Sequence, residues 1–125
     1  MSGIVLVVED DPLLARATAM MLTRHGWLPR LATDAAEALR VLHTSPVKAV
    51  VCDLQLPGDS GLAVIRSAIA HPTCLRVVAV SGMVDNHFFL TVAQRAGAHA
   101  ALSKPVSEVE LLAALSGLSS SDETT

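Results

Sequence analysis

Residues 4–11 read IVLVVEDD, five aliphatic residues ending directly in three acids, Glu9, Asp10 and Asp11. An unbroken apolar run of that length suits a strand covered on both faces, since neither face meets water. The pattern recurs along the chain. KAVVC (48–52) ends in Asp53, LRVVAV (75–80) in Ser81-Gly82, and AHAAL (98–102) in Ser103-Lys104-Pro105. In an open parallel sheet, groups at the carboxyl ends of neighbouring strands face one crevice. Glu9, Asp10, Asp53 and Lys104 are therefore expected to meet at one edge. Acids crowded in this way repel one another unless a cation sits among them. Carboxylate oxygens, with waters completing an octahedron, are what Mg²⁺ takes. The pattern points to a metal-assisted phosphoryl site.

Helical segments with marked ends separate the strands. Asp11-Pro12 supplies a cap and a proline at the first helical position, and Gly26 a left-handed stop after a helix to about His25. Trp27–Ala32 is a weaker strand, and Pro29 assigns it to a sheet edge. Asp34 and Glu37 open a helix through about His43. Lys48–Cys52 is the most apolar strand, hence central. Leu56-Pro57-Gly58 forms a turn, and Ser60 caps a helix through about Ala70. A helix over 85–96 follows the strand at 75–80, and Gly97 closes it. The strand over 98–102 leads to a capping box, Ser107 with Glu110, and a last helix to about Gly117. Strands alternating with helices predict a parallel sheet with helices on both faces.

A chain of 125 residues is one domain with room for a real core. Half the residues are apolar, yet the aromatics are only Trp27, Phe88 and Phe89, so aliphatic residues must build the interior. The net charge of −3, with lysine only at Lys48 and Lys104, argues against a nucleic-acid face. Cys52 and Cys74 are too few for a disulfide framework, and Cys52 lies within a strand as a buried thiol. No signal peptide or span-length apolar run is present, so a cytoplasmic domain is expected. His25, His43, His71, His87 and His99 show no metal-ligand spacing. The polar tail SSSDETT (119–125) has nothing to bury and is expected to be disordered, leaving a domain over 1–118.

Four motifs in order, VVEDD, DLQLPG, SG and SKP, resemble the receiver domain of two-component response regulators over about residues 3–118. The resemblance implies a flavodoxin-like (βα)5 fold with strand order 2-1-3-4-5. It implies that Asp53 accepts a phosphoryl group from a histidine kinase or a histidine phosphotransfer protein. Mg²⁺ would be held by Asp10, Asp53 and the backbone carbonyl of Gln55, with Glu9 acting through water. Lys104 and Ser81 would contact phosphoryl oxygens, and Lys104-Pro105 would be a cis peptide. The protein would catalyse only its own phosphorylation and dephosphorylation. Taken singly, each residue has a plainer role: Asp11 a helix cap, Ser81 a turn residue, Lys104 a solvated lysine. Three acids at one sheet edge have no purely structural explanation.

One position departs from the family. Three residues before the lysine, receivers usually carry Tyr or Phe, and this chain has Ala101, which has no rotamer to switch. A stand-alone switch acting on a protein partner, as a monomer or weak dimer, is the leading expectation; the initial Met and polar tail favour a short natural protein. A phosphate shuttle or sink, or a receiver cut from a hybrid kinase, is the alternative. A flavodoxin-like small-molecule binder is disfavoured, because no G-x-G-x-x-G follows the first strand. On the first helix, Leu14, Ala17, Thr18, Met21 and Leu22 form the expected core stripe, leaving Leu13 and Met20 on another face. In this family that side docks the kinase or phosphotransfer helices, and the fourth and fifth helices meet downstream partners. Of the adjacent Phe88 and Phe89, about 100° apart on a helix, both cannot face the core.

Overall fold

The computed structural model describes residues 3–56, 61–73, 75–82 and 86–117. Among these, five strands alternate with five helices: β1 (Ile4–Val8), α1 (Pro12–Arg24), β2 (Leu28–Ala32), α2 (Ala35–Thr44), β3 (Val47–Asp53), α3 (Gly61–Ile69), β4 (Arg76–Ser81), α4 (Asn86–Arg95), β5 (Ala100–Ser103) and α5 (Glu108–Ser116). Every strand pair is parallel, and the sheet order is β2-β1-β3-β4-β5. The order, the central β3 and the edge position of the proline-bearing β2 agree with the sequence.

Strand alternation divides the core into two layers. Leu6, Val8, Val50, Cys52, Val77 and Ala79 face one way and pack with residues of α2, α3 and α4. Val5, Val7, Ala49, Val51, Val78 and Val80 face the other and pack with Leu22 of α1 and Leu111, Ala114 and Leu115 of α5. Burying each of the valine and leucine side chains among them contributes about 1.5–3 kcal/mol.

The helix ends follow their local chemistry. Asp11 accepts from the N–H groups of Leu13 and Leu14, Asp34 from that of Glu37, and Ser107 with Glu110 closes a reciprocal capping box. Gly117 ends α5 at φ 85°, in the left-handed region where a side chain is strained. β5 starts at Ala100 rather than Ala98, because the Ala98 N–H is taken by the Ala93 carbonyl at the end of α4. The turn at Pro57-Gly58, the cap at Ser60, Asp85, Cys74 and the tail 119–125 lie outside the described residues.

The α1 stripe requires a correction. Ala15 and Leu22 are its buried residues, while Leu14 is 38% exposed and Ala17 is also exposed. Leu14, Ala17, Thr18 and Met21 instead line a cavity of about 490 Å³ that is also lined by Val106 and Leu111 beside α5. Helical spacing alone placed these side chains on one face, and burying that face would require α5 to close over it. α5 does not, and aliphatic residues leave the gap unfilled.

Candidate functional site

The parallel register sets the site. Val8 pairs with Cys52, Asp53 with Val80, and Ser81 with Ser103, so the residues following β1, β3, β4 and β5 emerge together. Glu9 is fixed first by its backbone, whose N–H donates to the Ala32 carbonyl at 3.0 Å. Its carboxylate accepts from the Asp11 N–H at 3.1 Å and from Lys104 Nζ at 2.8 Å. Asp53, only 5% exposed, accepts from the Gln55 N–H on one oxygen at 2.9 Å and from Lys104 Nζ on the other at 2.8 Å. Lys104 therefore bridges two buried carboxylates. Its own N–H donates to the Ser81 carbonyl, and the Lys104–Pro105 peptide is cis, as expected.

Glu9, Asp10 and Asp53 each present an oxygen, and these lie within 4.8 Å of one another. Asp10 is the exposed member; Asp11 is spent on the helix cap. Burial raises the Glu9 carboxyl above the usual range, and the nearby Asp53 charge adds to this, although the Lys104 and Asp11 hydrogen bonds oppose it. Burial alone would lower Lys104, but its hydrogen bonds to Asp53 and Glu9 outweigh that and raise it. Three carboxylates against one ammonium leave surplus negative charge in a partly dry place. Such an all-oxygen donor set fits a hard divalent cation.

Ser81, fully buried at the end of β4, donates its hydroxyl to Gln55 Oε1 at 3.2 Å. The structure thus brings Glu9, Asp10, Asp53, Ser81, Gln55 and Lys104 together. Beneath them, the close approaches of Gly61 and Gly82 escaped the sequence, whereas the buried thiol of Cys52 was expected. A Cβ at Gly61 would lie 2.0 Å from the Asp53 carbonyl oxygen, so α3 can begin directly against β3 only with glycine there. Gly82 likewise faces the Lys104 stem, with a Cβ at 3.1 Å from its Cδ. Cys52 Sγ lies 3.3 Å from the Asp53 carbonyl oxygen, and burial, with the Asp53 and Glu9 charges, pushes its thiol strongly upward. It is an inert support. A glycine three residues beyond the DLQLPG run was the one legible sign of the Gly61 approach.

Among the histidines, His25, His43 and His87 are exposed. His99 has a structural part as well: its Nδ1 accepts from the Val77 N–H at 3.0 Å.

A family model described as the response regulator receiver domain matches residues 5–116. The chain belongs to the response regulator receiver family. Receiver domains bind a divalent metal at an acidic pocket, and this receiver carries such a pocket in Glu9, Asp10 and Asp53. It is 34% identical over 118 residues to the transcriptional regulatory protein TrcR of Mycobacterium tuberculosis, covering 91% of this chain and 44% of that protein. The chain spans about half the length of the curated relatives it matches. Among solved structures, it resembles a response regulator from Burkholderia pseudomallei that contains a phosphorylated aspartic acid, a calcium ion and citrate. That likeness has a TM-score of 0.85 and 28% identity, covering 98% of this chain and 70% of that one. The receiver domain of NtrX from Brucella abortus matches at a TM-score of 0.81 and 30% identity, covering 97% and 99%. Among the described residues, no helix is long and apolar enough to cross a membrane.

Proposed function

We propose that this receiver accepts a phosphoryl group on Asp53, in a Mg²⁺-dependent transfer from a histidine kinase or histidine phosphotransfer protein. The observation that carries this is Lys104 Nζ at 2.8 Å from both Glu9 and Asp53, within a cluster of three acids. An Asp53 oxygen forms the new bond to phosphorus as the bond to the donor's imidazole nitrogen breaks, and that imidazole takes up a proton. Asp53 lines the cavity between α1 and α5, so the carboxylate is reachable despite its burial. Lys104, already a point charge at Asp53, turns to an oxygen of the arriving group. Ser81 donates its hydroxyl to another. Asp10, Asp53 and the Gln55 carbonyl would hold Mg²⁺ directly and Glu9 through water. Bound there, Mg²⁺ supplies the neutralisation of charge on the transferring oxygens that dominates such catalysis.

On this reading the receiver catalyses only its own phosphorylation and dephosphorylation, and acts in the cytoplasm as a switch, a monomer or weak dimer, on a protein partner. Leu13 at 78% and Met20 at 64% exposure on α1 support a helical phosphodonor docking there. Partner binding through α4 and α5 is supported by Phe88 and Val109, 63% and 77% exposed. Ala101 favours a second reading, a phosphate shuttle or sink, since β5 carries no aromatic side chain to report phosphorylation.

Intact mass after incubation with acetyl phosphate and Mg²⁺ tests the proposal. The wild type gains one phosphoryl group, and neither Asp53→Asn nor wild type in chelator gains it. A variant labelled as fully as the wild type would refute it.

A further inference from the structure

The side chain of Gln55 has an arrangement that the phosphoryl chemistry above does not use. Its Oε1 accepts the Ser81 hydroxyl at 3.2 Å, while its Nε2 is buried and has no hydrogen-bond partner among the described residues. A buried amide donor left unmade costs more than one made contributes, so an apolar residue of equal length would be the less costly occupant if the position only filled space. A glutamine that merely solvated the surface would turn its amide to water, and this one does not. The polar commitment of the side chain is to Ser81.

We propose that Gln55 is a positioning residue that holds the Ser81 hydroxyl away from Asp53 in the resting chain. The inference rests on the proposal that Ser81 donates to a phosphoryl oxygen at Asp53. A hydroxyl has one proton to donate. While that proton lies on Gln55 Oε1, a phosphoryl oxygen must compete for it, and the exchange of acceptors sets part of the free-energy gap between resting and phosphorylated states. The switch in this chain is then partly a transfer of the Ser81 hydroxyl from Gln55 to the phosphoryl group. The Gln55 backbone N–H, which donates to Asp53 at 2.9 Å, fixes the residue beside the acceptor whichever partner Ser81 takes.

Affinity for the phosphoryl mimic beryllofluoride, measured with Mg²⁺ in a double-mutant cycle, tests this. Gln55→Met keeps the length and removes the acceptor; Gln55→Asn keeps an amide that is one methylene too short to reach Ser81. Each is expected to tighten beryllofluoride binding about three- to tenfold in the Ser81 background, the range that one neutral hydrogen bond contributes. In the Ser81→Ala background each is expected to change it less than about 1.5-fold, because no hydroxyl is left to hold. Equal changes in both backgrounds, or weaker binding with Ser81 present, would overturn the inference and leave Asp53 phosphorylation standing. Failure of the wild type itself to bind beryllofluoride would overturn both. A thermal melt accompanies each variant. Gln55→Met, which deletes the orphaned donor, is expected to melt no lower than the wild type, so a folding defect there would also count against this account.

Discussion

Lys104 is the counter-ion of two carboxylates, Glu9 at 6% and Asp53 at 5% exposure, so its removal leaves uncompensated charge in a place with little water. Breaking a fully buried pair on one side costs about 3–5 kcal/mol, and Lys104, whose side chain is 23% exposed, belongs at or somewhat below the lower end of that range. Lys104→Met is expected to cost about 2–4 kcal/mol by denaturant unfolding at neutral pH. The sign of its pH dependence follows from Glu9, whose carboxyl is raised above 4.5 by burial. A raised group favours the fold fully below its unfolded value, and that contribution is lost as pH rises through the folded one. The Lys104→Met deficit should therefore shrink as pH falls toward 4.5, when Glu9 takes up a proton, and millimolar Mg²⁺ should raise the variant's Tm more than the wild type's. A deficit unchanged across that range would contradict the charge account. The charged members of this site were legible because each ends an apolar run. Gly61 and the Gln55 side chain were not, since the first answers to a backbone approach and the second to a hydroxyl 26 positions away.

At the scale of elements, the caps were the most legible features. Asp11, Asp34 and Ser107 occupy the expected positions because a cap depends on residues within one turn. The buried face of α1 was less legible. Its stripe depended on how closely α5 approaches, which no local pattern encodes. The β4–β5 pair holds a second nonlocal feature, His99, whose neutral ring accepts the Val77 N–H. Burial, followed by the Arg76 charge, lowers the His99 imidazole from 6.5. A depressed group contributes stability that is present above its unfolded value and lost as pH falls through the folded one. The wild type should therefore lose stability below about pH 6.5 on this account. His99→Gln, which keeps an acceptor for Val77 and does not titrate, should flatten that part of the curve in thermal melts. Parallel curves for the two proteins would remove His99 from the explanation.

Over the whole molecule, the sheet does two things at once. Its two aliphatic layers supply the stability, and its parallel register carries Glu9, Asp53, Ser81 and Lys104 to one edge without any long-range signal in the sequence. Topology was therefore legible from the order of apolar runs and caps, and most of the site followed from topology. Layer packing did not follow, because an aromatic-poor core can meet the same pattern with a cavity between α1 and α5. The central claim is that this edge exists to place a phosphoryl group on Asp53. Borohydride reduction followed by peptide mapping tests it most directly, because an aspartyl phosphate is reduced to homoserine where a free carboxylate is untouched. After treatment with acetyl phosphate and Mg²⁺, homoserine is predicted at position 53 alone, and at no position when Mg²⁺ is chelated. Homoserine at Asp10 or Asp11, or none at position 53 with Mg²⁺ present, would contradict the account.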